Sequence, residues 1–453
     1  MIEHIKTVLL TVLILTSVYL TWLIWTYQPE YRLLEPTEYI ESTEIGEEKE
    51  VTDIVRPREI VFHDGVRHEW LIPGEDHVSM FLAELTELEI EQLVTSSSTA
   101  VSMSQQIGGF EFIYPAPIYS EDIEQLFDIS EEEMSISKVD RIVLFVNEQN
   151  EQADVSIQFI SYDEKSVVQG KTDMTFEDLE ALRANVENVT VPAKAEVFNE
   201  NEESDIEEIS YFPSEPLEMK RYTFMSNVIQ VKTFKELMFS DPEHVQHYFQ
   251  GNSEESFSDG NRILNIENGG DVINYVHPVL SDPEPTEGDG MVQESLDFVN
   301  SHGGWTDTYL YDDYNVSTYH ENVTFRLSIS GTPVLGSNIG DDRLYTMNLQ
   351  KTSGRIEEYT RPLFELEDDP FEFEESISLS PATEILKKLD KSEEVDIDSV
   401  DDIQIGQHMT KQQSFLIFQP QWFMKYHGSW QPIPDLDESE QEVAGEVSVR
   451  GLE

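Results

Sequence analysis

The feature that most limits how this chain can fold is an uncharged apolar stretch close to its first residue. Residues 7–27 read TVLLTVLILTSVYLTWLIWTY and contain no charged side chain. A helix needs about 20 apolar residues to cross the hydrocarbon core of a membrane. Trp22, Trp25 and Tyr27 suit the boundary between lipid and water. The stretch therefore predicts a transmembrane anchor over residues 7–27.

A cleaved signal peptide is the alternative interpretation of this stretch. The apolar part of a signal peptide is usually ~7–15 residues long and ends in small residues at a cleavage site. Here the last third is bulky, with Tyr19 and Trp22, and no A-x-A pattern follows. We therefore expect an uncleaved anchor. Lys6, in the short segment before the anchor, favours a cytoplasmic N-terminus. Because no second stretch of this kind follows, we expect a single-pass membrane protein with an extracellular body.

The net charge restricts the partners of the extracellular residues. The 453 residues include 91 acidic and 28 basic side chains, which gives a formal net charge of −63. Such a chain repels nucleic acid and anionic lipid headgroups, so nucleic-acid binding is not expected. The acid is spread along the sequence, which favours a solvated surface suited to salty or alkaline surroundings. Cation binding or a basic partner is the functional alternative.

Changes in composition divide the chain into segments. The absence of Cys means that packing alone must hold the domains together. Proline and acidic runs mark a stalk, a linker and a tail. The predicted segments are the cytoplasmic N-terminus 1–6, the anchor 7–27, the stalk 28–50, an N-terminal extracellular α+β domain 51–198, an acidic linker 199–209, a middle α+β domain 210–350, a C-terminal α+β domain 351–434 and a disordered acidic tail 435–453.

In the first of these domains, hydrophobic periodicity and turn residues predict both strands and helices. Ser120 is the expected N-cap of one helix, and Thr175 with Asp178 forms a capping-box pattern at another. The strands at 141–146 and 155–162 are expected to be antiparallel neighbours. The predicted strands are 59–62, 109–114, 141–146 and 155–162, and the predicted helices are 78–94, 120–127 and 175–189.

The later domains carry similar signals. Asn268-Gly269-Gly270 predicts a hairpin turn, because these residues accept positive φ. Helix followed by three antiparallel strands occurs twice, in 291–350 and in 380–426. We therefore predict an α+β fold of antiparallel sheets with packed helices, whose last two domains are similar to each other. The predicted strands are 222–231, 262–266, 272–276, 306–311, 322–330, 344–350, 402–409, 415–418 and 422–426, and the predicted helices are 233–239, 242–249, 291–300 and 380–389, the last with Ser380 as N-cap.

The sequence contains no recognisable reaction centre. No nucleophile elbow, S-x-x-K, H-E-x-x-H or Walker loop occurs, and without Cys there is no thiol nucleophile. His244 and His247 have a spacing that can place both on one helix face for a metal. No third ligand is identifiable, so ordinary surface histidines are the better interpretation. We therefore predict no catalytic, cofactor-binding or metal-binding residues.

The anchor carries a pattern that suggests a binding face. At 100° per residue, one side of the helix holds Thr7, Thr11, Ile14, Val18, Thr21 and Trp25. Threonine hydroxyls in a membrane bond to a neighbouring helix for about 0.6 kcal/mol on average. Alternatively, each threonine bonds to a carbonyl of its own helix and meets only lipid. The pattern alone leaves both interpretations open.

Several motifs resemble one protein family. They are LTWLIWTYQP at 20–29, VKTFKELMFSDPEHV at 231–245, SLDFVNSHGGW at 295–305, the F-R-x-x-I-x-G-x-P-V stretch at 325–334 and QPQWFMKYHGSW at 419–430. These motifs are similar to the YycH (WalH) family, membrane-anchored regulators found with the YycFG/WalRK two-component system of low-GC Gram-positive bacteria. The resemblance spans the whole chain, although the strong acidity departs from typical members.

The resemblance implies a function without catalysis. Members of the family work with a related single-pass protein, YycI, and control an essential sensor histidine kinase that governs cell-wall metabolism. The control acts through transmembrane helices and extracellular domains. The resemblance also implies three extracellular domains, the last two similar to YycI, and it favours partner binding by the threonine face. An extracellular receptor for a cell-wall fragment or peptide is the alternative function.

Overall fold

The structure is a computed structural model in which the chain forms two compact units, Met1–Thr43 and Glu44–Glu453. We call the second unit the body. The residues that the structure describes are 6, 10, 13, 15–17, 19–20, 45–96, 107–129, 134–147, 154–197, 208–251, 254–279, 284–286, 291–371, 375–392 and 395–433.

The described residues of the first unit are helical. Within the part of the chain that the structure describes, no helix is both long enough and apolar enough to cross a membrane. Most of the predicted anchor at 7–27 and of the predicted stalk at 28–50 lies outside the described residues. Both therefore stay predictions.

A ten-stranded sheet, here called the N-terminal sheet, organises the first half of the body. Its order is β10-β9-β2-β1-β4-β6-β7-β8-β3-β5, and every pair is antiparallel except β3 with β5. The predicted pairing of 141–146 with 155–162 is confirmed, because Arg141 lies opposite Ile160 in the β6–β7 ladder. The strands are β1 Glu59–Asp64, β2 Arg67–Leu71, β3 Glu89–Ser96, β4 Ile107–Tyr119, β5 Asp128–Ile129, β6 Lys138–Asn147, β7 Asp154–Ser161, β8 Ser166–Thr172, β9 Thr190–Val197 and β10 Ile209–Pro213.

Four helices accompany this sheet among the described residues. They are α1 Val51–Ile54, α2 Glu75–Thr86, α3 Ser120–Leu126 and α4 Phe176–Val186. The capping box of α4 is confirmed, with Thr175 as N-cap accepting from the Asp178 amide. The predicted cap of α3 is wrong, since Tyr119 precedes the helix and supplies no side-chain bond.

The helix predicted at 78–94 is wrong beyond Thr86. Its last residues form β3 instead. Leu88 and Ile90 are buried while Glu87, Glu89 and Glu91 are exposed, and this alternation matches a strand with one covered face. The leucines and isoleucine of this region fit both the helical period and the strand period, so hydrophobic periodicity does not separate α2 from β3.

A fifteen-stranded sheet, here called the larger sheet, forms the rest of the body. Its main path is β12-β13-β14-β15-β20-β19-β17-β18-β23-β24-β11-β21, with β16 beside β17, β22 beside β11 and β25 beside β24. The strands are β11 Leu217–Val228, β12 Gln246–Gly251, β13 Glu254–Ser258, β14 Ile263–Glu267, β15 Val272–Val276, β16 Tyr309–Val316, β17 His320–Ile329, β18 Thr332–Ser337, β19 Thr346–Thr352, β20 Arg355–Pro362, β21 Phe364–Leu366, β22 Glu375–Leu379, β23 Val400–Gln412, β24 Phe415–Tyr426 and β25 Ser429–Pro432.

One parallel contact joins the two halves of the larger sheet. Val334 of β18 lies opposite Gln407 of β23, whereas the other described pairs of this sheet are antiparallel. The predicted domain boundary between residues 350 and 351 falls inside β19, whose neighbour β20 continues the ladder to β15. Strand β11, from the start of the predicted middle domain, pairs with β24 near the end of the body. Backbone pairing therefore crosses the predicted boundary in both directions.

The helices of this half are α5 Val231–Met238, α6 Met291–Ser301 and α7 Ala382–Lys391. Helix α6 is followed by four strands, β16 to β19, whereas α7 is followed within residues 380–426 by two, β23 and β24. The predicted repeat of one helix and three strands is therefore wrong in its strand count. The predicted hairpin at 262–276 is confirmed, and Asn268, Gly269 and Gly270 all have positive φ. The predicted N-cap Ser380 is wrong, because Pro381 occupies the cap position.

Two further element predictions in this half are wrong. The segment 242–249 forms a short 3-10 turn at Pro242–His244 and then strand β12, not a helix. The segments 415–418 and 422–426 are one strand, β24. Pro420 lies inside this strand, opposite Gln407 of β23, and beyond the part that pairs with β11. Its missing N–H therefore removes no bond of that ladder.

The two sheets of the body pack against each other through a shared apolar core. Trp70 and Phe212 from the N-terminal sheet lie in one cluster with Ile403 and Trp422 from the larger sheet. The rings of Phe212 and Trp422 are 6.2 Å apart between centroids. Burial of such side chains contributes about 1.5–3 kcal/mol each. The packing therefore holds the two sheets in a fixed relation.

Candidate functional site

The sequence-predicted binding face of the anchor falls outside the described residues. This applies to all six positions, Thr7, Thr11, Ile14, Val18, Thr21 and Trp25. Described residues of the same segment are helical, and Leu10, Leu13 and Leu15 are each about 60% exposed. The assignment of this face to a partner therefore stays a prediction.

In the body, a polar cleft of about 440 Å³ opens between the N-terminal sheet and the larger sheet. One wall is the irregular middle of β4, which loses register with β6 between Ile113 and Ile118. Strands β16, β17, β19, β23 and β24 contribute to the opposite wall. The charged side chains of the lining are Asp140, Glu208, Asp312, Asp313, Asp342, Asp401, Asp402, Arg58, Arg141, Arg326 and Lys425. Seven carboxylates thus face four cations.

Arg58 connects the two sheets at the base of this cleft. Its Nη1 donates to Oδ2 of Asp402 at 2.6 Å, and its Nε lies 3.3 Å from Oε1 of Glu59. Burial raises the pKa of Glu59, and Asp402 adds to this effect, while Arg58 opposes it. The guanidinium therefore contacts one carboxylate from each sheet, so that the junction carries the buried Arg58–Asp402 ion pair in addition to its apolar core.

Arg326 and Tyr311 brace the far wall of the cleft. Arg326 lies 2.7 Å from Oδ2 of Asp312 and also donates to the carbonyl of Val334 at 3.1 Å. The hydroxyl of Tyr311 donates to the carbonyl of Pro117, on the N-terminal sheet, at 2.7 Å. These contacts hold the cleft walls with bonds made by the chain itself. The cleft is consequently part of a rigid junction.

A buried charged cluster lies inside the N-terminal sheet, behind the cleft. Glu111 accepts from Arg141 at 2.5 Å, and its other oxygen is 3.1 Å from Nε2 of His63. The Nδ1 atoms of His63 and His68 are 2.7 Å apart. The two ring nitrogens of His63 thus face Glu111 and His68 at the same time. Each member of the cluster thus has a partner on a neighbouring strand.

The electrostatics of this cluster favour an ionised Glu111. Burial by itself would raise the pKa of the carboxyl group, but Arg141 and His63 outweigh burial and hold the pKa at about 2. Burial lowers the pKa of His68, and the neighbouring His63 lowers it further. The cluster is therefore an internal ion pair with a neutral His68 beside it, which fixes strands β1, β2, β4 and β6 to one another.

Asp122 on α3 is a buried carboxylate of a different kind. Its residue is 1% exposed, and neither carboxylate oxygen has a hydrogen-bond partner. Burial raises the pKa of Asp122 to about 7, with a smaller contribution from Glu121. The group consequently takes up a proton close to neutral pH. Burial of this carboxyl group without hydrogen bonds therefore lowers the stability of the fold.

The two histidines considered as metal ligands have local partners. Nδ1 of His244 is 2.9 Å from the carboxylate of Asp241, and Nε2 of His247 is 2.8 Å from Glu255. Over the described ranges, no group of three or more His, Asp or Glu is placed to hold a metal ion. Sequence reasoning also missed Glu111, Arg141 and Asp122. An arginine inside an apolar strand at 141–146 was the one available signal for the cluster.

Family models cover nearly the whole chain. Residues 3–191 match the model of the YycH protein N-terminal domain, and residues 207–441 match that of the YycH protein C-terminal domain. The sequence is 26% identical over 464 residues to the two-component system WalR/WalK regulatory protein YycH of Bacillus subtilis (strain 168), covering 95% of this chain and 96% of that protein.

A solved structure shares the fold. The crystal structure of YycH from Bacillus subtilis superposes with a TM-score of 0.70 at 19% identity, covering 87% of this chain and 99% of that one. The match spans both sheets described above, since it includes most of the body. At this level of identity the likeness establishes the architecture.

Proposed function

This chain belongs to the YycH family, and we propose that it is a membrane-anchored accessory protein that regulates a sensor histidine kinase of the WalK type without catalysing a reaction. The observation that carries the proposal is the match over 95% of the chain to a WalR/WalK regulatory protein. The proposed setting is the cell membrane, with the N-terminus in the cytoplasm, the body outside, and a YycI-like single-pass protein as second partner.

The mechanism that we propose needs only a modest coupling between proteins. A kinase that exchanges between two helix arrangements shifts toward the one to which its partner binds more tightly. Couplings of about 1–3 kcal/mol are typical, which corresponds to about 5–150-fold in the equilibrium. Thr7, Thr11 and Thr21 on one face of the anchor would supply interhelical hydrogen bonds, and Ile14 and Val18 close packing.

The braced body supports this mechanism. Its two sheets are joined by an apolar core, by the Arg58–Asp402 ion pair and by the Tyr311–Pro117 hydrogen bond. We infer that a junction packed and bonded in this way moves as one piece, because close-packed protein interiors have low compressibility and transmit strain. We therefore propose that extracellular contacts of the body and membrane contacts of the anchor act on the kinase together.

Replacing Thr7, Thr11 and Thr21 together by leucine tests the proposed face. We expect autophosphorylation of the kinase, reconstituted in vesicles with the full chain, to change by about fivefold or more, because the interhelical bonds and close packing are lost. Thr16 lies on the opposite side of the helix at 100° per residue. Thr16→Leu is therefore the matched control and should leave the kinase unchanged. Equal effects on both faces would refute the assignment.

An extracellular receptor for a cell-wall fragment or peptide is the second candidate function. The cleft volume of about 440 Å³ falls in the range of small-molecule sites, which is about 300–1,000 Å³. Such sites are mostly apolar, whereas this lining is largely charged. Its Arg58 and Arg326 are already paired with Asp402 and Asp312. The regulator proposal therefore takes precedence over the receptor.

A further inference from the structure

The outermost strand of the larger sheet has an open edge. Strand β12 pairs with β13 on one side, and no other described strand pairs with it. Within the described ranges, no backbone hydrogen bond is made to its outer side. Of the four ends of the two sheet paths, β5 and β21 are two and three residues long and β10 has five residues, whereas β12 has six. Short edge strands limit pairing with other chains.

The side chains of β12 do little to protect this edge. Proteins usually guard exposed edges with lysine, proline or inward-pointing charge, and the sequence QHYFQG contains none of these. A bulge between Phe249 and Gly251 affects only its last residues. Tyr248 is 52% exposed and Phe249 is 75% exposed. An exposed aromatic edge without such protection is typical of a binding surface.

The aromatic side chains on one face of β12 form a pre-ordered strip. The ring of His247 stacks on Phe257 of β13 at 4.3 Å between centroids, and it lies 4.1 Å from the ring of Phe249. Oε2 of Glu255 lies 2.8 Å from Nε2 of His247. Because these contacts restrict the rings before any partner arrives, ordering them on binding costs little entropy.

The charge around this edge selects the partner. Between Lys235 and Arg262 the sequence contains six acidic residues and no lysine or arginine, while Lys235 itself lies with its ammonium 5.7 Å from the centroid of the Phe257 ring. The strand itself is free of acidic groups, while Asp241 and Glu243 precede it and Glu254 and Glu255 follow it. A partner segment that is apolar in its centre and basic at its ends therefore matches this edge in hydrogen bonding, in shape and in charge.

We propose that β12 is a docking edge to which an extended segment of a partner protein adds as a further strand, with bulky apolar side chains in its centre and lysine or arginine at both ends. This proposal rests on the proposed function. It adds to that function the place on the body at which an extracellular partner binds. Main-chain bonds would supply much of the affinity, and the aromatic strip would select the apolar side chains.

A synthetic strand peptide tests this proposal directly. The probe has alternating valine and threonine between two lysines at each end, and its matched control has glutamates in place of the lysines. With the full chain in detergent micelles at low salt, we expect the lysine peptide to bind about tenfold more tightly or better, because the acidic flanks attract one peptide and repel the other. Amide hydrogen exchange of Gln246–Gly251 should slow when the lysine peptide binds.

Two substitutions distinguish specific binding at β12 from non-specific binding of the peptide elsewhere on the protein. Phe249→Glu should abolish the exchange protection, because it places a charge in the aromatic strip. Val66→Glu is the matched control, since Val66 is 85% exposed at the tip of the β1–β2 hairpin, and it should leave binding unchanged. Equal affinity for both peptides, protection elsewhere in the chain, or pairing of β12 with a second copy would overturn the proposal. None of these readouts involves the kinase, so failure here is distinct from failure of the regulator proposal.

Discussion

Replacing Glu111 by glutamine is expected to lower the free energy of unfolding by about 3–5 kcal/mol, because it leaves Arg141 charged, buried and without its counter-ion. Both side chains are 4% exposed, and the ion pair is 2.5 Å long. The glutamine amide also keeps only one acceptor oxygen, so that either Arg141 or His63 would face an NH2 donor in its place. Urea unfolding of the full chain in detergent, followed through tryptophan fluorescence, measures the loss.

A surface ion pair of the same length provides the control for this prediction. Arg221 and Glu375 are also 2.5 Å apart, but their side chains are 33% and 59% exposed. Exposed pairs contribute about 0–1 kcal/mol, so Glu375→Gln should change stability by no more than that. If the two substitutions had equal effects, burial would not be what makes the Glu111–Arg141 pair important.

Replacing Asp122 by asparagine is expected to stabilise the protein, and the gain should grow with pH. The pKa of Asp122 is raised from 3.8 to about 7 in the folded state, so folding holds the proton more tightly than the unfolded chain does. Stability from this group is complete below about pH 4 and is lost as the pH rises to about 7. This difference in pKa corresponds to a loss of about 4 kcal/mol. Asparagine carries no charge and avoids this loss.

The test compares the two proteins across pH. The difference in unfolding free energy between Asp122→Asn and the parent chain should be near zero at pH 4 and approach about 4 kcal/mol at pH 8. Glu121→Gln, at the neighbouring exposed position, should change stability by less than about 0.5 kcal/mol throughout. A pH-independent difference for Asp122→Asn would show that the carboxyl group stays ionised in the folded protein.

Local signals in the sequence predicted much of the secondary structure. Thr175 with Asp178 placed the start of α4, and Asn268-Gly269-Gly270 placed the β14–β15 hairpin, because a cap and a positive-φ turn depend on residues within a few positions. The errors arose where a partner distant in sequence decides the outcome. Strand β12 forms because β13 pairs with it, and the segments on either side of Pro420 form one strand because β23 pairs along both of them.

The buried charges of the body could not be located from the sequence for a related reason. Glu111 and Arg141 are 30 residues apart and meet only because β4 and β6 are neighbours. In a chain with 91 acidic residues, nothing in the sequence distinguishes Glu111 or Asp122 from the solvated majority. Recognition of the family depended instead on short motifs, and the family models that match residues 3–191 and 207–441 confirm it.

The most direct test of the regulator proposal is kinase autophosphorylation in vesicles that contain the kinase and either the full chain or residues 44–453 alone, supplied at the same concentration. If the anchor acts together with the body, the full chain should change the rate by about fivefold or more, while the detached body should have little effect. A detached body that regulates as strongly as the full chain would contradict the account.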